Sequence, residues 1–361
     1  MAINLQPSKI CSSRAIALAA VLTPALFATA CVGPPANELA EKWGMIESNA
    51  SECPVAVDET VTDTVNIGYQ PLPVGDMLVY ERGLLEACMP NATINWQRFE
   101  SSAEIVQTFG TGDLDIVTLG SPGTSRSLSK PLAYDAKVIW VHDKIGTAEA
   151  LVARDPNITS ITDLKGKSVA VASASTVHYA LLRSMENAGM TANDVKLVFM
   201  GPDKILAGWH TGSLDATWIW EPTLSEIKKD AHVVMTSEDA ANIGAPTYDL
   251  SMARREFTEQ SPEFLKKWWE LEDYAAREIN RDPEGAAASV AIPLGAEAAT
   301  VREQFKGYTY PTIEEIQGED LLGGGIGDHL HSAAQFLNSV GEIDKESDLS
   351  YYREALLVPK I

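Results

Sequence analysis

From about residue 62 onward, short apolar runs alternate with amphipathic stretches. Thr64–Gln70 (TVNIGYQ) has the pattern of a buried strand, followed by a helical stretch from Met77 to Ala87 and a second strand at Ala92–Phe99. Ala103–Phe109 reads as a helix ended by Gly110, after which Thr111–Ser121 supplies a turn and another strand. Strands that alternate with helices in this way predict an α/β fold with a mainly parallel sheet. The stretch Thr111–Val117 (TGDLDIV) recurs as Thr211–Thr217 (TGSLDAT), each copy after an amphipathic helix and before an apolar strand. Two α/β units built alike are therefore expected. Between them, residues 148–175 read as an extended crossing segment, a turn, and the first strand of a second sheet at Ser168–Ala172. Gly244–Arg254 offers an extended return. From Ser261 the pattern turns helical, with Ser261 and Pro262 as N-cap and first turn and Phe264, Trp268, Leu271 and Ala275 on one face. A second helix start follows at Asp282-Pro283-Glu284.

The N-terminus follows a different logic. Lys9 and Arg14 precede an apolar run, Ala15–Ala30, that contains Pro24 and is shorter than the roughly 20 residues needed to span a bilayer. Residues 1–30 therefore read as a signal peptide. The run ends in Phe27-Ala28-Thr29-Ala30-Cys31, which resembles the lipobox at which bacterial lipoproteins are cleaved and diacylated. This makes Cys31 the expected lipidation site and first mature residue, the other reading being an ordinary signal peptide with Cys31 incidental. Residues 31–61 mix Pro, Gly, Ser and Asn with acids and read as a tether from membrane to folded body, with room for a short helix over Ala36–Ser48. Cys11 lies inside the signal. Cys53 and Cys88 remain, and in an exported chain an even pair suggests a disulfide, against the alternative of two buried thiols.

Length and charge narrow the class. At 361 residues the chain exceeds one compact core, which favours two lobes. The 28 Lys and Arg against 50 Asp and Glu leave a net charge of −22, which argues against a nucleic-acid partner. An anionic ligand must be held by backbone amides and hydroxyls against that field.

Several motifs then fall in order: Tyr69-Gln70, Glu100–Ser121, Gly146–Asp155 (GTAEALVARD), Asp163–Val171 (DLKGKSVAV), Ser175–Leu182 (STVHYALL), Trp218–Pro222 (WIWEP) and Gly244–Asp249 (GAPTYD). Together they resemble the periplasmic taurine-binding proteins of ABC importers, within the wider nitrate, sulfonate and taurine group. The resemblance implies a periplasmic binding protein type II-like α/β fold, with two lobes, a ligand cleft between them and two crossing hinge strands. The crossings are expected near Leu151–Arg154 and Thr247–Met252. Residues 62–152 with 246–361 would form one lobe and 153–245 the other. The resemblance also implies a monomer that hands a small zwitterionic sulfonate to an ABC permease at the extracytoplasmic or periplasmic face, without a cofactor, since no bond is broken.

A taurine-like solute carries a sulfonate and an ammonium, so its cleft must satisfy both charges. Ser175, Thr176 and His178 lie between a strand and the first turn of a helix, where free backbone N–H groups and the helix dipole favour an oxyanion. The same residues are ordinary caps. Ser121, at another strand-to-helix junction, adds a donor from the opposite lobe or merely turns the chain beside Pro122. For the ammonium, Glu149 in the first crossing and Asp249 in the return segment stand among apolar residues; alone they would be surface or hinge ion-pair residues. Trp218 and Trp220 share a strand face, and the resemblance favours Trp220 as the ring that covers the carbon chain and meets the ammonium. Gln70 offers an amide to either end. Val177 departs from the Thr common in the taurine proteins, and Glu221 stands where a small residue occurs in some, either selecting a larger amine or pairing at a helix start. Rival ligands are an aliphatic sulfonate, nitrate or a thiamine-precursor heterocycle. A rival class is an enzyme of the related pyrimidine-biosynthesis group, but no His/Cys metal spacing, Ser-His-Asp context, P-loop or dinucleotide motif supports it.

Overall fold

A computed structural model describes residues 52–361. The signal segment, Cys31 and the helix expected over Ala36–Ser48 lie outside the described residues. Eleven strands form two sheets among the described residues. They are β1 (Thr64–Tyr69), β2 (Thr93–Arg98), β3 (Ile116–Gly120), β4 (Ala136–Ile145), β5 (Glu149–Ala153), β6 (Ser168–Val171), β7 (Lys196–Phe199), β8 (Ala216–Trp220), β9 (His232–Thr236), β10 (Tyr248–Arg254) and β11 (Tyr308–Thr309).

The first sheet has the order β11-β4-β10-β3-β1-β2 and the second β7-β6-β8-β5-β9. Both follow one plan. A central strand (β1 or β6) pairs in parallel with its two neighbours, and the next strand inward (β10 or β5) is antiparallel. The TGxLD repeat explains part of this likeness. Gly112 and Gly212 have φ of 97° and 71°, a left-handed turn that favours glycine. Leu114 and Leu214 are buried behind them. Asp115 Oδ2 accepts the backbone N–H of Asn66 at 2.8 Å, and Asp215 Oδ2 accepts that of Ser168 at 2.8 Å. In each sheet the repeat's Asp thus ties the incoming strand to the start of its neighbour.

The structure alters several expectations. Leu151, expected in a crossing, lies inside the second sheet, paired with Trp218 and Met235. The chain changes sheet earlier, across Gly146–Ala148, where Gly146 and Ala148 both donate to the carbonyl of Gly307. It returns before Tyr248, since all of β10 belongs to the first sheet. The helix expected over Met77–Ala87 is two helices, Gly75–Glu81 and Leu84–Cys88, divided at Gly83 with φ of 59°. The helix Pro262–Arg281 begins at its proline as expected, but the Ser261 hydroxyl donates to Asp63 instead of capping it. Cys53 and Cys88 are joined by a disulfide that fixes the start of the described chain to the Leu84–Cys88 helix.

Candidate functional site

The C-terminal ends of β3 and β8 face one another across the cleft between the sheets. A small chamber of about 40 Å³ lies there, continuous in its lining with a wider cleft of about 510 Å³. The first sheet contributes Gln70 after β1, Ser102 at the start of the helix Ser102–Thr111, Gly120 at the end of β3, and Asp249 on β10. The second contributes Glu149 on β5, Trp220 at the end of β8, and Ser175 and Thr176 at the start of the helix Thr176–Asn187. Tyr308 and Leu72 complete the polar and apolar walls. None of the lining residues is Lys, Arg or His.

The acidic side is deeply buried. Glu149 pairs across the sheet with Trp220, accepts a hydrogen bond from the Thr176 hydroxyl, and accepts another from Ser237 Oγ at 3.0 Å. Burial pushes its carboxyl up to about 8 despite those two donors. Asp249 sits opposite Gly120 on one side and Asp143 on the other. Burial raises it to about 7. Asp143 accepts the Asp249 backbone N–H at 3.4 Å and is held well above the carboxylate range by burial and by the Asp249 charge. Three carboxyl groups thus crowd one apolar region with no basic partner in the chamber lining. Such an arrangement is costly in the ionised form unless a cation arrives.

Hydroxyl and amide groups line the same chamber, and the Thr176 hydroxyl already serves Glu149. Ser101 caps the Ser102–Thr111 helix, accepting a bond from Glu104 N at 3.4 Å. Gln70 Nε2 donates to Ser102 Oγ at 3.2 Å. Ser175 caps its helix, accepting from His178 N at 3.3 Å, and its own hydroxyl donates to Ala172 O at 2.7 Å. Gly120 faces Thr176 across the cleft: a Cβ there would lie 2.9 Å from Thr176 Cγ2.

Six of the expected residues, Gln70, Glu149, Ser175, Thr176, Trp220 and Asp249, therefore meet around one chamber. The other three do not line it. His178 Nδ1 accepts from Ala174 N at 3.2 Å, its ring packs on Phe199 and Phe336, and burial pushes it down to about 4, so it is neutral. Ser121 Oγ accepts from Tyr248 N at 3.3 Å and braces β10. Glu221 Oε2 accepts from Ser225 N at 2.9 Å, and Lys228 stands 3.5 Å from its other oxygen, so it serves a helix start. Trp218 is fully buried in the core. Ser102, Tyr308 and Asp143 were not singled out by the sequence. For Asp143 a signal existed: His142-Asp143 interrupts an apolar strand run, VIWVHDKI.

Two sheets of one plan that close on a chamber lined by buried acids and neutral hydroxyl and amide groups define a two-lobed solute-binding protein. Residues 124–286 match the family described as NMT1/THI5 like. The chain is 31% identical over 268 residues to the taurine-binding periplasmic protein of Escherichia coli (strain K12), covering 72% of this chain and 82% of that one. It therefore belongs to the family of periplasmic taurine- and sulfonate-binding proteins, which are binders and not enzymes. Its fold matches the periplasmic aliphatic sulphonate binding protein SsuA from Escherichia coli with a TM-score of 0.68, at 19% identity over 80% of this chain and 91% of that one. The alkanesulfonate-binding protein SsuA from Xanthomonas axonopodis pv. citri, bound to MOPS, matches with a TM-score of 0.67 at 18% identity, over 84% of this chain and 99% of that one.

Proposed function

We propose that the protein captures taurine or a closely related short aminosulfonate outside the cytoplasm and delivers it to the permease of an ABC importer. The observation that carries this reading is the pair Glu149 and Asp249, both buried at the chamber with no basic side chain among its lining residues. An ammonium group supplies the missing counter-charge. The sulfonate then lies toward Ser102, Gln70 and the first turn of the helix at Ser175, where amides and hydroxyls accept an anion without Arg. Trp220 covers the two-carbon chain between the poles. The relative that is 31% identical and named for taurine supports the same ligand class.

A second reading has its own support. The same carboxyls, protonated because burial raises them to about 8 and 7, would donate hydrogen bonds to a sulfonate that lacks an amine. Calorimetry with taurine, ethanesulfonate and nitrate separates the two. Taurine is expected to bind tightest by a wide margin; equal affinity for taurine and ethanesulfonate defeats the ammonium role.

The reading includes a monomer, tethered by residues 31–61 through a lipid on Cys31, whose two lobes move about the crossings at Gly146–Ala148 and just before Tyr248. Its support is the small-residue run before Cys31 and the Pro-rich, acidic stretch that follows. A Cys31→Ser variant is expected to leave the membrane fraction; retention there would refute the anchor.

A further inference from the structure

Near the ligand chamber, the same strands carry a second, fully buried polar cluster that no ligand contact explains. Asp76 lies in the first turn of the helix Gly75–Glu81, His142 on β4, and Glu272 in the middle of the helix Pro262–Arg281. They are far apart in the sequence and form no recognisable metal motif there. In the fold, one ligand-capable atom from each lies within 4.8 Å of the others. Their side chains are at most 1% exposed. No Lys or Arg pairs with either acid among the described residues.

The hydrogen bonds make the cluster informative. His142 Nε2 is 2.7 Å from Ser251 Oγ and 3.5 Å from Asp76 Oδ2, and the Thr118 hydroxyl donates to that same Asp76 oxygen. With the imidazole proton on Nε2, between these two oxygens, Nδ1 presents a lone pair to Glu272 Oε2 at 3.6 Å. With both carboxyls ionised, Nδ1, both Glu272 oxygens and Asp76 Oδ1 have no hydrogen-bond partner. Buried polar atoms are nearly always satisfied, and here four are left bare in one place. A proton shared between Glu272 and Asp76 would join the two acids but leave Nδ1 without a donor, 3.6 Å from Glu272 Oε2. A separation of 3.6 Å instead suits two ligands of one ion, since metal–ligand bonds of about 2.0–2.2 Å in a tetrahedron put neighbouring ligands roughly 3.3–3.6 Å apart. The Ser251 partner of Nε2 is the kind of outer hydrogen bond that orients a metal-bound imidazole.

We propose that Asp76, His142 and Glu272 hold one divalent first-row transition-metal ion, with zinc the natural probe. Two carboxylates and a neutral imidazole around such an ion give a site of zero net charge, which suits its burial. The ion pins the Gly75–Glu81 and Pro262–Arg281 helices to β4. It also adjoins β3 and β10, which carry the chamber residues Gly120 and Asp249. Thr118 and Ser251 stand two residues from Gly120 and Asp249 on β3 and β10. His142 is the extra residue of a β-bulge, since Asp249 pairs with Asp143 and Leu250 with Val141. That bulge aims His142 at the cluster while Asp143 backs Asp249. Gly75 leaves space for Glu272, whose Oε2 would be 2.9 Å from a Cβ at that position.

The inference is independent of the ligand reading, and its test uses no ligand. The mature chain, disulfide intact, is unfolded in denaturant with a strong chelator, dialysed, and refolded with or without Zn²⁺, because a buried site exchanges slowly. Bound zinc per chain and the melting temperature are then measured. The expected result is one tightly held zinc per chain and a raised melting temperature. Glu272→Gln and His142→Gln should each weaken zinc binding by more than about 100-fold, and Ser251→Ala by roughly 10- to 100-fold. Co²⁺ substitution provides a visible spectrum that His142→Gln abolishes. If the variants fail to fold, the wild-type stoichiometry and the Ser251→Ala affinity still decide. Absence of zinc in the refolded wild type, or binding indifferent to these substitutions, would overturn the site in favour of a proton-sharing cluster.

Discussion

Substituting Glu149 by Gln preserves the shape of the side chain and its neighbours Thr176 and Ser237 while removing the charge an ammonium would meet. Loss of one partner of a buried charge pair costs about 2–5 kcal/mol, or roughly 30-fold and more in affinity. Glu149→Gln is therefore expected to weaken taurine binding by at least that factor in calorimetry and to leave ethanesulfonate binding little changed. An unaltered taurine affinity would show that the carboxylate does not touch the amine. Glu149 and Asp249 were legible in the sequence because each interrupts an apolar segment, and a charge in such a place needs a partner. Asp143 interrupts an apolar run in the same way, but its place behind Asp249 depends on a bulge that the sequence does not announce. Ser121, Glu221 and His178 illustrate the converse: a polar residue at a strand-to-helix junction is as readily consumed by the junction itself. Each of the three has one polar atom that accepts a backbone N–H: Ser121 that of Tyr248 on β10, Glu221 that of Ser225 and His178 that of Ala174.

Strand ends set the geometry of the cleft, and Gly120, at the end of β3, faces Thr176 of the other half. Its φ of −62° and ψ of 151° suit any L-residue, so Gly120→Ala should cost little in the backbone. The added methyl, however, would press on Thr176 across the cleft in the closed arrangement. Overpacking of this kind costs about 1–3 kcal/mol, which corresponds to roughly a 5- to 150-fold loss in affinity. Calorimetry together with a thermal melt of the unliganded protein checks this: affinity should fall while the melting temperature stays nearly constant. A fall in both would make Gly120 a folding residue instead. At this scale the α/β order and the repeat were readable, because TGxLD carries its own turn and buried leucine. The crossing was misplaced because EALVA has the same apolar pattern in a linker as in a sheet, and only its partners β8 and β9 reveal which it is.

Across the whole molecule, a net charge of −22 coexists with a ligand chamber whose acids retain protons. The surface acids are solvated; those at the chamber are not, and burial raises Glu149 to about 8 and Asp249 to about 7. The unliganded fold therefore holds protons that the unfolded chain has released from 3.8 and 4.5 upward, and this contribution to stability fades as pH rises through about 7 and 8. An arriving ammonium reverses the balance by favouring the ionised carboxyls, so binding must expel protons into the buffer. A sulfonate without an amine would instead keep them or draw them in. Calorimetric titration of taurine near pH 7 in buffers of different ionisation enthalpy counts those protons directly. Net release on binding is the expected outcome, with affinity rising as pH increases; zero exchange or proton uptake would contradict a site built for an amine and a sulfonate at once.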